Sequence, residues 1–259
     1  MSQHASLFVW HELMTSDAPA ATAFYTAVLG VATAVQPMPD GDYTLLSAGG
    51  TQVAGLMALP AAAAAAGARP GWTGYVAVAD VDAKAAAVQA AGGTVCHPPA
   101  DIPGVGRFAT VADPHGAVFT LFSGSGSDEP PVSTPGTPGT VGWNELMAND
   151  LDSAWGFYSG LLGWVKDTAV DMGPMGTYQL FAPAAGAPAI GGMMTRPPEL
   201  PAAFWLHYFN VAAIDAGAQR VRDAGGQVLN GPMEVPGGSW IVQCMDPQGA
   251  AFALVAPTR

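Results

Sequence analysis

Two glutamates sit in nearly the same words, 133 residues apart: Glu12 in WHELMTSD and Glu145 in WNELMAND. In a strand, period-two alternation puts Trp10, Glu12 and Met14 on one face, and Trp143, Glu145 and Met147 on the counterpart face. A carboxylate among indoles and thioethers must be paired or hydrogen-bonded, or else take up a proton. Such a group suits a general acid or base, or an anchor for a ligand hydroxyl or ketone. Equally, it suits a glutamate that ties its own strand to neighbouring backbone. Arg107 offers Glu12 a partner, and Trp240, Gln243 or His207 offer one to Glu145. Glu12, Glu145, Arg107 and His207 are therefore the candidates for catalysis. Trp10, Met14, Met57, Trp143, Met147, Met193, Trp240 and Gln243 are the candidates for ligand contact, because indoles and thioethers stack on and adapt to a planar apolar molecule. The G-x-G of DIPGVGRFA precedes a strand rather than a helix, so it is no nucleotide motif; it reads as a loop over a cavity mouth.

The elements that position these residues repeat with them. WHELMTSDAPAATAFYTAVLG matches WNELMANDLDSAWGFYSGLLG at ten of twenty-one positions. WTGYVAVADVDAKAAAVQAAGG matches WLHYFNVAAIDAGAQRVRDAGG, and DIPGVGRFATVADPHGAVFTLF matches EVPGGSWIVQCMDPQGAAFALV, at the same offset. Small compensating shifts fall around Tyr43 and Tyr178. Between the copies lies a Gly/Ser/Pro/Thr stretch without apolar periodicity, which is a linker. This gives two tandem domains, 1–124 and 139–259, joined by 125–138. Each domain reads as strand, helix and three strands, twice over. Asp17 caps the first helix, Gly30 ends it, and Asp82 starts the second.

Composition narrows the partners. A net charge of −12 and only 8 basic residues repel a phosphate backbone, which excludes nucleic acid. No apolar run is long enough for a membrane span and no leader segment is visible, so a cytoplasmic protein is expected. Two cysteines at non-equivalent places, Cys96 and Cys244, do not suggest a disulfide framework. Oligomeric state is open between monomer and homodimer.

FYTAVLG closing the first helix, with DPHGAVFTLF forming the last hairpin, resembles the vicinal oxygen chelate superfamily of glyoxalases, bleomycin-resistance proteins and extradiol dioxygenases. The chain is most similar to a tandem-domain group labelled glyoxalase-like or hydroxylase. The resemblance implies an α+β fold in which paired βαβββ units curl an eight-stranded sheet around one cavity per domain. It also implies a divalent metal held by three side chains of the concave face. Carried over, those positions fall on Trp10, Gly74 and Thr120 in the first half, and on Trp143, His207 and Ala253 in the second. Indole cannot ligate a metal, and only His207 is of a ligating type. His207 is expected to point into the second cavity, as a hydrogen-bonding group before a ligand. His11 is one residue out of register and faces the helix; His115 lies in a turn, His97 in a loop and His4 in the N-terminal segment. No metal and no cofactor are therefore expected. The function so read is binding of a small apolar, aromatic or polyketide-like metabolite, either to sequester it or to convert it without a metal as a hydroxylase partner, lyase or isomerase. The alternative is a glyoxalase-, hydroxylase- or dioxygenase-type enzyme with a divalent metal at a non-standard site.

Overall fold

The structure, a computed structural model, describes residues 6–38, 41–126 and 134–259. His4 and the middle of the linker lie outside the described residues.

Sequence patterning and capping explain the modules. Strand β1 (Phe8–Thr15) runs into α1 (Ala18–Leu29), where the Asp17 carboxylate accepts the Ala20 N–H at 3.0 Å. Gly30, at φ 70°, adopts the left-handed turn that ends this helix. Strands β2 (Ala32–Met38), β3 (Gly41–Ala48) and β4 (Thr51–Ala58) complete the first module. After the short α2 (Ala61–Ala65) come β5 (Gly71–Ala77), α3 (Val81–Ala90), β6 (Thr94–Ile102), β7 (Gly106–Ala112) and β8 (Val118–Gly124). The cap of α3 is Asp80 rather than Asp82, which sits in the first turn.

The second half repeats the order with β9 (Val141–Ala148), α4 (Leu151–Leu162), β10 (Val165–Asp171), β11 (Thr177–Ala182) and β12 (Gly191–Thr195). It ends with β13 (Phe204–Asn210), α5 (Ile214–Asp223), β14 (Gln227–Glu234), β15 (Trp240–Met245) and β16 (Ala251–Ala256). Each half contributes one mixed eight-stranded sheet, in the orders β2-β3-β4-β1-β5-β8-β7-β6 and β10-β11-β12-β9-β13-β16-β15-β14. Within them β1 runs parallel to β4, β5 to β8, β9 to β12 and β13 to β16.

The two compact units do not coincide with the two sequence repeats. One unit combines residues 1–9 and 73–130 with 143–205; the other combines 10–72 with 131–142 and 206–259. Each unit therefore takes one βαβββ module from each half, with α1 against α5 in one and α3 against α4 in the other. Each has its own apolar core: Leu13, Phe24, Val28 and Leu56 pack with Phe209, Val221, Phe252 and Leu254, while Val76, Val88, Phe119 and Leu121 pack with Leu146, Phe157, Leu161 and Phe181.

Two polar chains give the signature motifs their physical meaning. In one unit the Trp72 indole N–H donates to the Tyr25 oxygen at 2.9 Å, and the Tyr25 hydroxyl donates to Asp246 at 3.0 Å. In the other, Trp205 donates to Tyr158 at 3.0 Å and Tyr158 to Asp113 at 3.1 Å. Burial first, and then the adjacent aspartate, push both phenols well above their ordinary range, so they remain proton donors. The second oxygen of each aspartate accepts two backbone N–H groups of its own DPxG turn. FYxxxLG of one half is thus hydrogen-bonded to DPxG of the other. Cations reinforce the same pairing: Arg220 donates to the Val28 carbonyl at 2.9 Å and Lys84 to that of Leu161, each at the C-terminal end of the partner helix. Cys96 is exposed, Cys244 is buried, and both are free thiols.

Candidate active site

The two glutamates are held by the same device. Glu12 and Glu145 are 6 % and 7 % exposed, on the sheet faces turned away from the helices. The Tyr43 hydroxyl donates to the Glu12 carboxylate at 2.9 Å, and the Trp10 indole N–H donates to the Tyr43 oxygen at 3.1 Å. In the other half the Trp143 indole donates to Tyr178 at 2.7 Å, and the Tyr178 hydroxyl hydrogen-bonds Glu145. Burial, and next the glutamate's negative charge, push both phenols far above their ordinary range. Each phenol is therefore kept protonated, donating to the carboxylate and accepting from the indole.

Strand order shows why this geometry needs a glycine. Tyr43 is on β3 and Glu12 on β1, with β4 lying between them. Opposite Glu12 on β4 stands Gly55, and a Cβ there would overlap the Tyr43 hydroxyl. Gly192 stands opposite Glu145, and a Cβ there would overlap the Tyr178 ring. The missing side chain lets the phenol lie flat across the middle strand. Next along the same face, Met57 pairs with Met14, and Met194 with Met147. The result, in each half, is a fixed carboxylate bordered by an indole, a phenol and two thioethers.

Tyr43 and Tyr178 are the residues that the sequence reading missed. Their loops differ by two residues, so the 133-residue offset does not superpose them. What the two halves share in sequence is a glycine two residues before a methionine, Gly55 and Met57 in VAGLM and Gly192 and Met194 in IGGMM, which is the gap each phenol fills.

Four expected site residues lie elsewhere. His207 belongs to the helix-packed face of β13, between Trp205 and Phe209, which are core residues; it is fully buried and its ring meets His11 edge-on at 4.7 Å. Its neighbour Tyr208 takes the opposite face, in register with Ala253. Arg107 shares the helix side of β7 with Ala109 and Val111, and makes two hydrogen bonds to Asp82 on α3, at 2.6 and 2.9 Å, and one to Asp101 at 2.9 Å. It is an exposed ion-pair residue, not the partner of Glu12. Met193, paired with Leu146, is in the core, and Met194 has the place expected for it. Trp240 packs against the core with Val242 and Cys244, under the Arg259 guanidinium. In a strand, a single-residue error in register exchanges the faces, and all four assignments carry that error.

Gln243 is on the helix-free side of β15, where it donates to the Tyr208 oxygen at 3.1 Å and accepts from Asn230 at 3.3 Å. In the other unit the corresponding strands carry a Thr110–Thr120 hydroxyl pair at 3.2 Å, and Phe108 stacked on His97 at 4.9 Å. His97 is in strand β6 rather than a loop. His115 contacts the Ser153 hydroxyl at 2.9 Å on the surface.

The donor set does not fit the superfamily's divalent metal. The first-strand positions hold indoles whose N–H groups are used on Tyr43 and Tyr178, and indole nitrogen has no lone pair to offer. The last-strand positions are Thr120 and Ala253, and the strand between them turns His207 into the core. Among the described residues, no three His, Cys, Asp or Glu side chains come together as a ligand set.

Comparison with known proteins agrees with this architecture. The sequence pattern of the Glyoxalase/Bleomycin resistance protein/Dioxygenase superfamily matches residues 5–121 and again 140–254. The chain belongs to this superfamily. CFP32 of Mycobacterium tuberculosis, which carries a provisional glyoxylase name, is 34 % identical over 96 % of this chain and 94 % of its own length. The anthracycline biosynthesis protein DauV of Streptomyces sp. strain C5 is 33 % identical over 95 % of this chain and 91 % of its own. Among solved structures, the Mn(II)-bound glyoxalase of Novosphingobium aromaticivorans superposes with a TM-score of 0.65 at 20 % identity, covering 99 % of this chain and 83 % of its own. The 2,3-dioxygenase LapB of Pseudomonas sp. KL28 gives 0.67 at 13 % identity, covering 98 % and 93 %. These two share the fold. No helix among the described residues is long and apolar enough to cross a membrane.

Proposed function

We propose that this chain binds a small, planar, largely apolar molecule of aromatic or polyketide type. The Trp10–Tyr43–Glu12 and Trp143–Tyr178–Glu145 chains are its fixed polar contacts. The observation that carries this reading is the second occurrence of the same Trp–Tyr–Glu arrangement, with its enabling glycine, on a helix-free sheet face. A carboxylate needed only to tie down a strand would not require a phenol stretched across the neighbouring strand. Indole, phenol and thioether surfaces around one oriented acceptor suit a flat ring system that carries hydrogen-bond donors. A relative named for anthracycline biosynthesis is in keeping with a polycyclic aromatic ligand.

Titration of tryptophan fluorescence with the dihydroxyanthraquinone quinizarin tests this directly. Saturable quenching is expected, with affinity reduced about tenfold in the Glu12→Gln, Glu145→Gln double variant, the loss of a hydrogen bond to a charged group. Quenching that does not saturate, or that the double variant leaves unaltered, would overturn the reading. A carboxylate oriented by a phenol is also equipped for general acid–base catalysis, which makes metal-independent conversion the second reading. Conversion of a bound compound that ceases in the double variant while binding persists would establish it. Loss of affinity with no conversion in either protein would establish sequestration.

A further inference from the structure

We infer that the ligand carries a protonated amine, so that the preferred compound is an organic cation on an aromatic frame. This rests on the binding role proposed above for Glu12 and Glu145 and adds the sign of charge that the site selects.

Three observations lead there. First, the Trp–Tyr–Glu cluster contains a carboxylate and two neutral donors, and the phenol stays protonated beside the carboxylate. A ligand ammonium would meet an acceptor already oriented from one side by Tyr43 or Tyr178, with the indole of Trp10 or Trp143 hydrogen-bonded to that same phenol. Such a carboxylate favours a cation over a neutral donor.

Second, six of the protein's eight lysines and arginines are committed at other places. Arg107 is held by Asp82 and Asp101, Arg259 by Asp215 and the Trp240 ring, and Arg196 by Asn149 and loop carbonyls. Lys84 and Arg220 cap helices, and Lys166 lies over Trp155. Arg107, the cation that sequence reading had offered to Glu12, is the clearest case. An anionic ligand would find these groups already engaged.

Third, a chain with a net charge of −12 surrounds itself with a negative potential, which raises the local concentration of cations and repels carboxylates and phosphates. The site chemistry and the long-range field thus have the same sign.

Three matched probes separate charge from shape: anthracene bearing an aminomethyl, a hydroxymethyl or a carboxylate group. Each is titrated against the full chain at neutral pH, with tryptophan quenching as the readout. The amine is expected to bind at least about tenfold more tightly than the alcohol, and the carboxylate more weakly than either. In the Glu12→Gln, Glu145→Gln double variant the alcohol should weaken about tenfold, as the neutral donor of the previous test does, and the amine about a hundredfold, so that the amine's advantage falls to about onefold. The comparison within the unmodified protein needs no variant to fold. Equal affinity for amine and alcohol, preference for the carboxylate, or an amine preference that survives in the double variant would each overturn the inference and leave the aromatic-binding reading standing. Saturable binding by none of the three would overturn both.

Discussion

His207 shows how far one residue's neighbours decide its role. Burial first, and then the adjacent His11, hold its imidazole well below the ordinary histidine range. The folded chain therefore keeps it neutral where the unfolded chain begins to take up a proton, near pH 6.5. Its share of the stability is fully present above that pH and is lost as pH falls below it. The stability of the wild-type chain should therefore decline between pH 6.5 and pH 5, with His207 contributing at most about 1.4 kcal/mol per pH unit. Urea midpoints measured across that range for wild type and His207→Leu check this. The variant should show a shallower acid limb, and an identical limb in both proteins would remove His207 from the explanation. Carboxylates that lose their partners in acid act equally in both chains, so the difference isolates the imidazole.

At the scale of elements, the glycines of β4 and β12 are the least replaceable residues of the site. Gly55→Ala should evict the Tyr43 ring, because the alanine methyl would occupy the space of its hydroxyl. Gly192→Ala should do the same to Tyr178. Overpacking of this kind costs about 1–3 kcal/mol, and the displaced phenol would release both Trp10 and Glu12. A lowered urea midpoint together with changed near-ultraviolet tryptophan dichroism is expected. Unchanged dichroism would show that the phenol does not lie across that strand. The modules themselves were legible, because helix caps, terminal glycines and alternation are local signals: Asp17 and Gly30 do what their types suggest. So was the face of Trp10 and Glu12, counted back from a cap only a few residues away. Faces reached by longer counts were not legible. β7 and β15 pair with β6 and β14 through register shifts, and Arg107 and Trp240 were assigned to the wrong side. The Met193–Met194 pair offers two identical side chains to opposite faces, so the sequence contains no clue to which one lines the site. Tyr43 was hidden for a different reason, since its hydrogen bond crosses an intervening strand and no local pattern encodes such a reach.

For the molecule as a whole, the repeat in the sequence is not the unit of packing. Each apolar core draws on both halves, and each is tied by a tyrosine from one half bonded to an aspartate turn from the other. Neither half can bury its helices with its own residues alone: α1 needs α5, and α3 needs α4. Each of the two buried tyrosine–aspartate bonds, made to a charged acceptor, contributes about 1.5–3 kcal/mol, in addition to the burial of both cores. The covalent linker should therefore be dispensable once the chain has folded. A protease site inserted at Pro130 and cut after folding should give two fragments that elute together from a sizing column. They should separate only at denaturant concentrations that unfold the intact chain. A Tyr25→Phe, Tyr158→Phe double variant should loosen the cut pair, separating at lower urea than the cut wild type. Fragments that part in buffer alone would mean that each half holds its own core, contrary to the contacts described above.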